Sequence, residues 1–306
     1  MVSRAKYISD VMCDYVVDIK GVSKRFGTVE ALKDINLSVR RGELFGIIGP
    51  VGAGKTTLFR ILTTLVAPDC GSAVVDGHDV MRDIRHIRSS VGYMPGRFSL
   101  YPDLTVAENL EFFASLFGAD IEKNYAVIAP VYDKLKPFAN RRAGKLSGGM
   151  KQKLALSCAL IHNPRILFLD EPTTGVDAVS RREFWDMLEQ LKKKGITIIV
   201  STPYMDEASR CDRIALINQG RIMRTGTVEE LTAMFPHHLY AVSADNMYRL
   251  LQLLREMPGV TGCYPFGAAH HLMTSRGIDA DELVSELSAA GLTPPPTWAA
   301  AAGLPF

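Results

Sequence analysis

Three features of the sequence predict an α/β fold built on a buried, mostly parallel sheet. Short apolar runs such as LFGII, ILFLD and ITIIVS recur between helical patterns from Tyr15 to about Phe235. Runs this apolar suit strands covered on both faces, the condition of a parallel sheet between helices. The third feature is the glycine-rich turn GPVGAGKT, set between one such strand and a helical pattern. With 306 residues, 47% of them hydrophobic, the chain can fill a large core and still carry a smaller second domain.

Taken in order, YVVDI and INLSV read as early strands and LFGII as the buried strand before the turn. VGYM, ILFLD and ITIIVS follow as further strands. Two helix starts carry a capping box, Thr105 with Glu108 and Ser180 with Glu183; the second opens SRREFWDMLEQLKKKG, which Gly195 closes. RIALINQGRIMRTG reads as a hairpin turning at Asn218 to Gly220. Beyond Phe235 come strand HLYAVSA, helix NMYRLLQLLREM, strands near VTGCYPF and HLMTS, and helix DADELVSELSAAG, the order of a small α+β appendage. The expected domains are an extension over 1–14, a main domain over 15–235, the appendage over 236–290 and a proline-broken, loosely ordered tail over 291–306.

A formal net charge of +2 with interspersed signs leaves no electrostatic footprint for nucleic acid. The five cysteines, Cys13, Cys70, Cys158, Cys211 and Cys263, are odd in number and form no CxxC pair, which fits a reducing cytoplasm. No apolar run approaches the roughly 18 residues of a spanning helix, and Met1 to Asp14 lacks the apolar stretch of a signal peptide. The histidine pairs His237/His238 and His270/His271 lack a metal-ligand constellation and read as structural. His162, in LIHNP, reads as a surface loop residue, and the stripe Phe112, Phe113 and Phe117 as internal core.

Gly49, Gly52, Gly54, Lys55 and Thr56 fit G-x-x-x-x-G-K-[ST] in the required strand-to-helix context. Glycines let the backbone N–H groups face a phosphate, and the helix N-terminus adds a favourable dipole. Lys55 would bridge the β- and γ-phosphates, and the Thr56 hydroxyl would ligate Mg²⁺. Downstream, ILFLDE carries Asp170 to the carboxyl end of a strand, within reach of the Mg²⁺ shell, and Glu171 beside it can polarise an attacking water as general base. A third motif, LSGGMKQKLALSCAL, places Ser147 and two glycines at another helix N-terminus, a second anion site apart from the first.

These motifs, in this order from about Val16 to Leu231, resemble the nucleotide-binding subunit of an ATP-binding-cassette (ABC) transporter. The phrases RFSLYPDLTVAENL and GVDAVSRREFW are most similar to bacterial multidrug and daunorubicin-resistance exporter ATPases. The resemblance implies a P-loop cassette with a mostly parallel sheet, an antiparallel β subdomain and a helical subdomain that meets a permease. It implies head-to-tail pairing with a second cassette, identical or not, each ATP lying between one glycine loop and the other signature. On that basis Phe26 would stack on adenine, and Gly49, Pro50, Val51, Gly52, Ala53, Gly54, Lys55, Thr56 and Thr57 would form Walker A. Asp170 would be the Walker B aspartate, Glu171 the catalytic base and Asp177 the D-loop aspartate. Leu146, Ser147, Gly148, Gly149, Met150, Lys151 and Gln152 would be the signature facing the partner's γ-phosphate. From the residues alone, Phe26 in KRFG reads equally as a strand-end core aromatic.

Three positions depart from the family pattern. Val51 occupies a usually polar but variable Walker A site; Gly96 stands where the family has the Q-loop glutamine, and Pro203 where it has the switch histidine. The first reading is thus an ATP- and Mg²⁺-dependent ATPase subunit on the cytoplasmic face of the cell membrane, driving a separate permease for multidrug-type export. The second is a cassette that binds ATP but hydrolyses it slowly, because neither Gly96 nor Pro203 offers a side-chain donor or acceptor.

Overall fold

Two long strands, β1 (Tyr15–Phe26) and β2 (Val29–Arg40), open the structure as an antiparallel pair. This computed structural model describes residues 15–97, 99–234, 238–275 and 280–292, and the chain divides into two units between Val228 and Glu229. Strand β3 (Leu44–Ile48) leads through the glycine turn into α1 (Lys55–Leu62); β4 (Cys70–Val75) and β5 (His78–Asp79) then return to the first pair. The resulting four-stranded sheet has the order β2-β1-β4-β5 and is antiparallel throughout.

Next come α2 (Ile84–Ser90), β6 (Val91–Met94), α3 (Val106–Leu116), α4 (Ile121–Tyr132), α5 (Gly148–Leu160) and β7 (Ile166–Asp170). The unit closes with α6 (Ala178–Lys193), β8 (Thr197–Thr202), β9 (Arg213–Asn218) and β10 (Arg221–Gly226). Its second sheet runs β10-β9-β3-β8-β7-β6, all parallel except the β9–β10 hairpin, which turns at Gln219 and Gly220 as the sequence implies. Every residue of β3, β7 and β8 is buried, which is why their sequences are apolar without alternation. Helix α1 seats Leu58, Phe59, Ile61 and Leu62 in the core, and Phe59 meets Phe168 of β7 edge-on at 5.7 Å. Each such side chain contributes about 1.5 to 3 kcal/mol of burial, and together they anchor the helix that carries the glycine turn.

Helix α3 begins with the expected capping box of Thr105 and Glu108. Helix α6 does not begin with Ser180: its cap is Asp177, whose carboxylate accepts from the Ser180 amide at 2.9 Å, while Glu183 pairs with Lys153 at 2.7 Å. Aspartate is as good a cap as serine, and the earlier start adds a turn. Gly195 ends α6 as expected, donating to Lys192 O at 2.8 Å with φ +90°.

The aromatic stripe is not internal core. Val106, Leu110 and Ala114, spaced four apart, take the buried face of α3, leaving Phe112 and Phe117 39% and 37% exposed. Phe112 packs edge-on against Tyr101, and Phe117 stacks on the ring of His162 at 4.0 Å. His162 is therefore half-buried rather than a free surface residue; its Nε2 donates to Val91 O at 3.1 Å, and burial pushes its pKa down.

The second unit follows α7 (Val228–Ala233), which straddles the boundary. It contains β11 (His238–Val242), α8 (Met247–Glu256), β12 (Val260–Phe266), β13 (Ala269–Thr274) and α9 (Ala280–Ala289). The sheet is antiparallel in the order β11-β13-β12, with a core of Val242, Leu250, Leu254, Leu272, Leu283 and Leu287. His270 is buried, and its Nε2 donates to Met247 O at 2.7 Å, tying β13 to the first residue of α8. His237, the extension 1–14 and most of the tail, 293–306, lie outside the described residues.

Candidate functional site: a phosphate cleft

The glycine turn is fixed by close backbone approach. A Cβ on Gly49 would stand 2.1 Å from Ile217 O, and one on Gly54 would stand 2.6 Å from Ala31 O, with Gly54 at φ +108° as the cap of α1. Any other residue at either position would displace a neighbouring strand or turn. The turn thus delivers Lys55, Thr56 and Thr57 as the first residues of a helix whose leading N–H groups have no partner within it. Lys55 is only 3% exposed, and its ammonium donates to Gly49 O at 2.7 Å and Pro50 O at 3.0 Å and pairs with Glu171 Oε1 at 3.1 Å.

Asp170 ends β7, buried, and Glu171 follows it, half-buried at the cleft. Glu171 has φ +48°, a left-handed conformation that costs a non-glycine residue about 1 to 3 kcal/mol. Its amide donates to Ser201 O at 3.0 Å and Ser201 Oγ at 3.1 Å, and these bonds hold the turn. The Ser201 hydroxyl in turn donates to Asp170 Oδ1 at 2.6 Å. One buried hydroxyl thereby orients both acids. Sequence reading missed Ser201; the only signal was a lone hydroxyl near the end of the apolar run ITIIVS.

Ser201→Ala should leave Asp170 Oδ1 buried without its donor, at a cost of about 1 to 3 kcal/mol. We expect turnover to fall roughly tenfold or more, since partners of this kind are commonly worth ten- to a hundredfold. Ser201→Thr keeps the hydroxyl and should recover most of that loss in a steady-state phosphate-release assay. Equal losses in both variants would count against the orienting role.

Lys55, Thr56, Asp170 and Glu171 line one cleft of about 860 Å³, together with Val51, Gly52, Gly54 and Thr57. Gly49, Pro50 and Ala53 form the turn behind it; Ala53 N donates to Pro50 O, and Gly220 N to Ala53 O. The cleft offers Thr56 and Asp170 as hard oxygen donors, the kind that suit Mg²⁺. No cluster of three or more metal-ligating side chains occurs among the described residues, so an ion here would take its other ligands from phosphate and water. Tyr93 lines the same cleft, its phenol pushed up to about 12 by burial and by the charge of Asp170.

Other expected site residues stand apart. Phe26 is 48% exposed at the end of β1, with Lys24 Nζ 5.4 Å from its ring centroid, so the core reading of this residue is excluded. The segment from Leu146 to Gln152 does not line the cleft: Ser147 caps α5 by accepting from Met150 N at 3.3 Å, and Gly149 lies against Ser180. Asp177 caps α6, and the Ser180 amide that it accepts from holds its carboxyl below the usual range. The chain therefore carries a complete glycine-loop cleft and, elsewhere, a serine-capped helix start.

A phosphate loop, an acidic strand end and a separate serine-glycine helix start define an ATP-binding cassette. The ABC transporter family profile matches residues 32–174. The chain is 38% identical over 278 residues to the probable multidrug ABC transporter ATP-binding protein YbhF of Escherichia coli (strain K12), covering 89% of this chain and 48% of that protein. It is 41% identical over 218 residues to the Nod factor export ATP-binding protein I of Burkholderia orbicola (strain AU 1054), covering 70% of this chain and 72% of that one. The dimeric structure of MJ0796, a bacterial ABC transporter cassette, superposes with a TM-score of 0.63 at 28% identity, over 69% of this chain and 98% of that one. The chain belongs to the ABC transporter family, and its first unit is an ATP-binding cassette of the ABC ATPase class. It spans about half the length of YbhF.

Proposed function

We propose that the chain binds and hydrolyses ATP with Mg²⁺ and powers a separate membrane permease, in export of the multidrug type. The observation that carries this reading is the convergence of Lys55, Thr56, Asp170 and Glu171 on one cleft while the Ser147 helix start lies outside it. A cleft with its own loop but without its signature is what a site completed by a second cassette requires, and MJ0796 is described as a dimer. In such a pair Ser147, Gly148 and Gly149 would cover the partner's γ-phosphate, Asp177 would connect the two sites, and Phe26 would lie along adenine. The likeness to a multidrug ATP-binding protein supports the export assignment. No helix among the described residues is long and apolar enough to cross a membrane. The reading places the transport pathway in a permease, with this chain on its cytoplasmic face. Neither relative's name favours the slow-hydrolysis reading drawn from Gly96 and Pro203.

The residues then divide the chemistry. The α1 N–H groups and Lys55 bind the phosphates, and Glu171 accepts the proton of the attacking water. When bound, Mg²⁺ held by Thr56 and Asp170 would supply charge neutralisation at the β- and γ-phosphates. Tagging the chain in its native cell and purifying it from detergent-solubilised membranes tests the assignment. An integral membrane permease should co-purify, in a complex whose ATPase activity rises on reconstitution. Recovery of the chain alone from every detergent tried would refute the permease assignment.

A further inference from the structure

The cleft contains four cations, and three have partners. Lys55 is paired with Glu171 at 3.1 Å, Lys33 lies 3.9 Å from Glu30, and Arg60 sits close enough to the Tyr93 phenol for its charge to lower that group's pKa. The fourth, Arg97, is exposed and forms no hydrogen bond or ion pair with any described residue. Free guanidinium groups commonly find a carboxylate when one is near; this one faces a phosphate cleft and stays unpaired.

Its position follows from Gly96. A Cβ there would meet Asp170 O at 2.9 Å and lie 3.8 Å from Asp170 Oδ2, so the chain passes Asp170 in contact and a side chain at 96 has no room without a backbone shift. The next residue along is Arg97, whose Cα is about 3.8 Å further on. Position 203, on the loop after β8, is a proline and donates nothing either. Gly96, one of the two positions that lack a polar side chain, thus stands next to an arginine without a partner among the described residues.

We propose that Arg97 is a catalytic residue of this cleft, donating N–H bonds to the non-bridging oxygens of the γ-phosphoryl group in the transition state. The inference rests on the ATPase reading given above. In the step, the water oxygen bonds to the γ-phosphorus while the bond from that phosphorus to the β–γ bridging oxygen breaks. The electron pair of the broken bond leaves with ADP, and the water proton passes to Glu171. Charge spreads over the equatorial oxygens as this happens, and a planar guanidinium can meet two of them at once. An exposed side chain on a loop is free to follow that charge, whereas Lys55 is held by three oxygens.

The test compares Arg97→Ala and Arg97→Lys in the full chain, by steady-state phosphate release at saturating ATP and Mg²⁺ and by titration with a fluorescent ATP analogue. We expect Arg97→Ala to lower kcat roughly ten- to a hundredfold, with nucleotide affinity held within about threefold because the contact belongs to the transition state. Arg97→Lys should recover part of the rate, since it keeps the charge but not the fork. Trapping by orthovanadate, which imitates the pentacoordinate phosphorus, should weaken in step with kcat. Wild-type turnover in Arg97→Ala overturns the proposal, as does a loss of affinity equal to the loss of kcat. Glu171→Gln in the same assay separates this inference from the reading beneath it. If Arg97→Ala is neutral while Glu171→Gln abolishes turnover, Arg97 alone falls; if the unmodified chain neither binds nor hydrolyses ATP, both fall.

Discussion

Glu171→Gln should leave ATP bound and slow its hydrolysis by roughly a hundredfold or more, the usual worth of a positioned general base. The amide matches the carboxylate in shape but cannot accept a proton from water. The geometry makes the substitution clean: the Glu171 backbone is held by the carbonyl and hydroxyl of Ser201, and neither bond involves the side chain. What changes are the side-chain contacts: Thr174 Oγ1 donates to Glu171 Oε2 at 3.3 Å, and Lys55 lies 3.1 Å from Glu171 Oε1, where a neutral amide gives a weaker partner and leaves the ammonium freer for phosphate. Affinity for ATP should therefore hold or rise. Size-exclusion chromatography with ATP and Mg²⁺ should show a dimer trapped around unhydrolysed nucleotide, while phosphate release falls. A monomer under those conditions, with nucleotide bound, would count against a sandwich of two copies of this chain. Undiminished phosphate release would remove Glu171 from its role.

The parts of this site that were legible in the sequence are the parts made by contiguous residues. Gly49 to Thr56 could be read because a strand, a glycine turn and a helix start follow one another without interruption, and Asp170 because ILFLD ends where a buried strand must end. The β9–β10 hairpin was equally local. Ser201 was not legible, since the hydroxyl that orients Asp170 comes from a strand 31 residues further along, and no spacing rule connects neighbours in a parallel sheet. Phe112 and Phe117 were misread because an aromatic run on a helix does not say which stripe faces inward; the smaller Val106, Leu110 and Ala114 won that face. His162 looked free in a loop until α3 brought Phe117 over its ring. Arg97 had no pattern at all: its unpaired charge is visible only when every other cation in the cleft has been given its partner.

Lys55→Ala should weaken ATP binding by about 2 to 3 kcal/mol, or roughly thirty- to a hundred-and-fiftyfold in Kd, the range expected for a lost hydrogen bond to a charged group. At 3% exposure the ammonium is shielded from solvent, so its attraction for phosphate is screened less than that of Lys33 or Arg97 at the rim. It is also aimed, since Gly49 O and Pro50 O hold it within the curl of the turn. Alanine removes the cation, frees those carbonyls and strips Glu171 of its counter-charge, so catalysis should suffer beyond the loss in affinity. Lys55→Arg should not restore binding, because the planar guanidinium is too wide for a pocket closed by Gly49, Pro50 and Glu171. Titration with a fluorescent ATP analogue reads the affinity, and urea unfolding of the same variants shows whether the turn has kept its fold. If Lys55→Ala unfolds at the wild-type urea midpoint and binds ATP as tightly as wild type, the phosphates do not lie at this turn, and the assignment of the cleft is wrong.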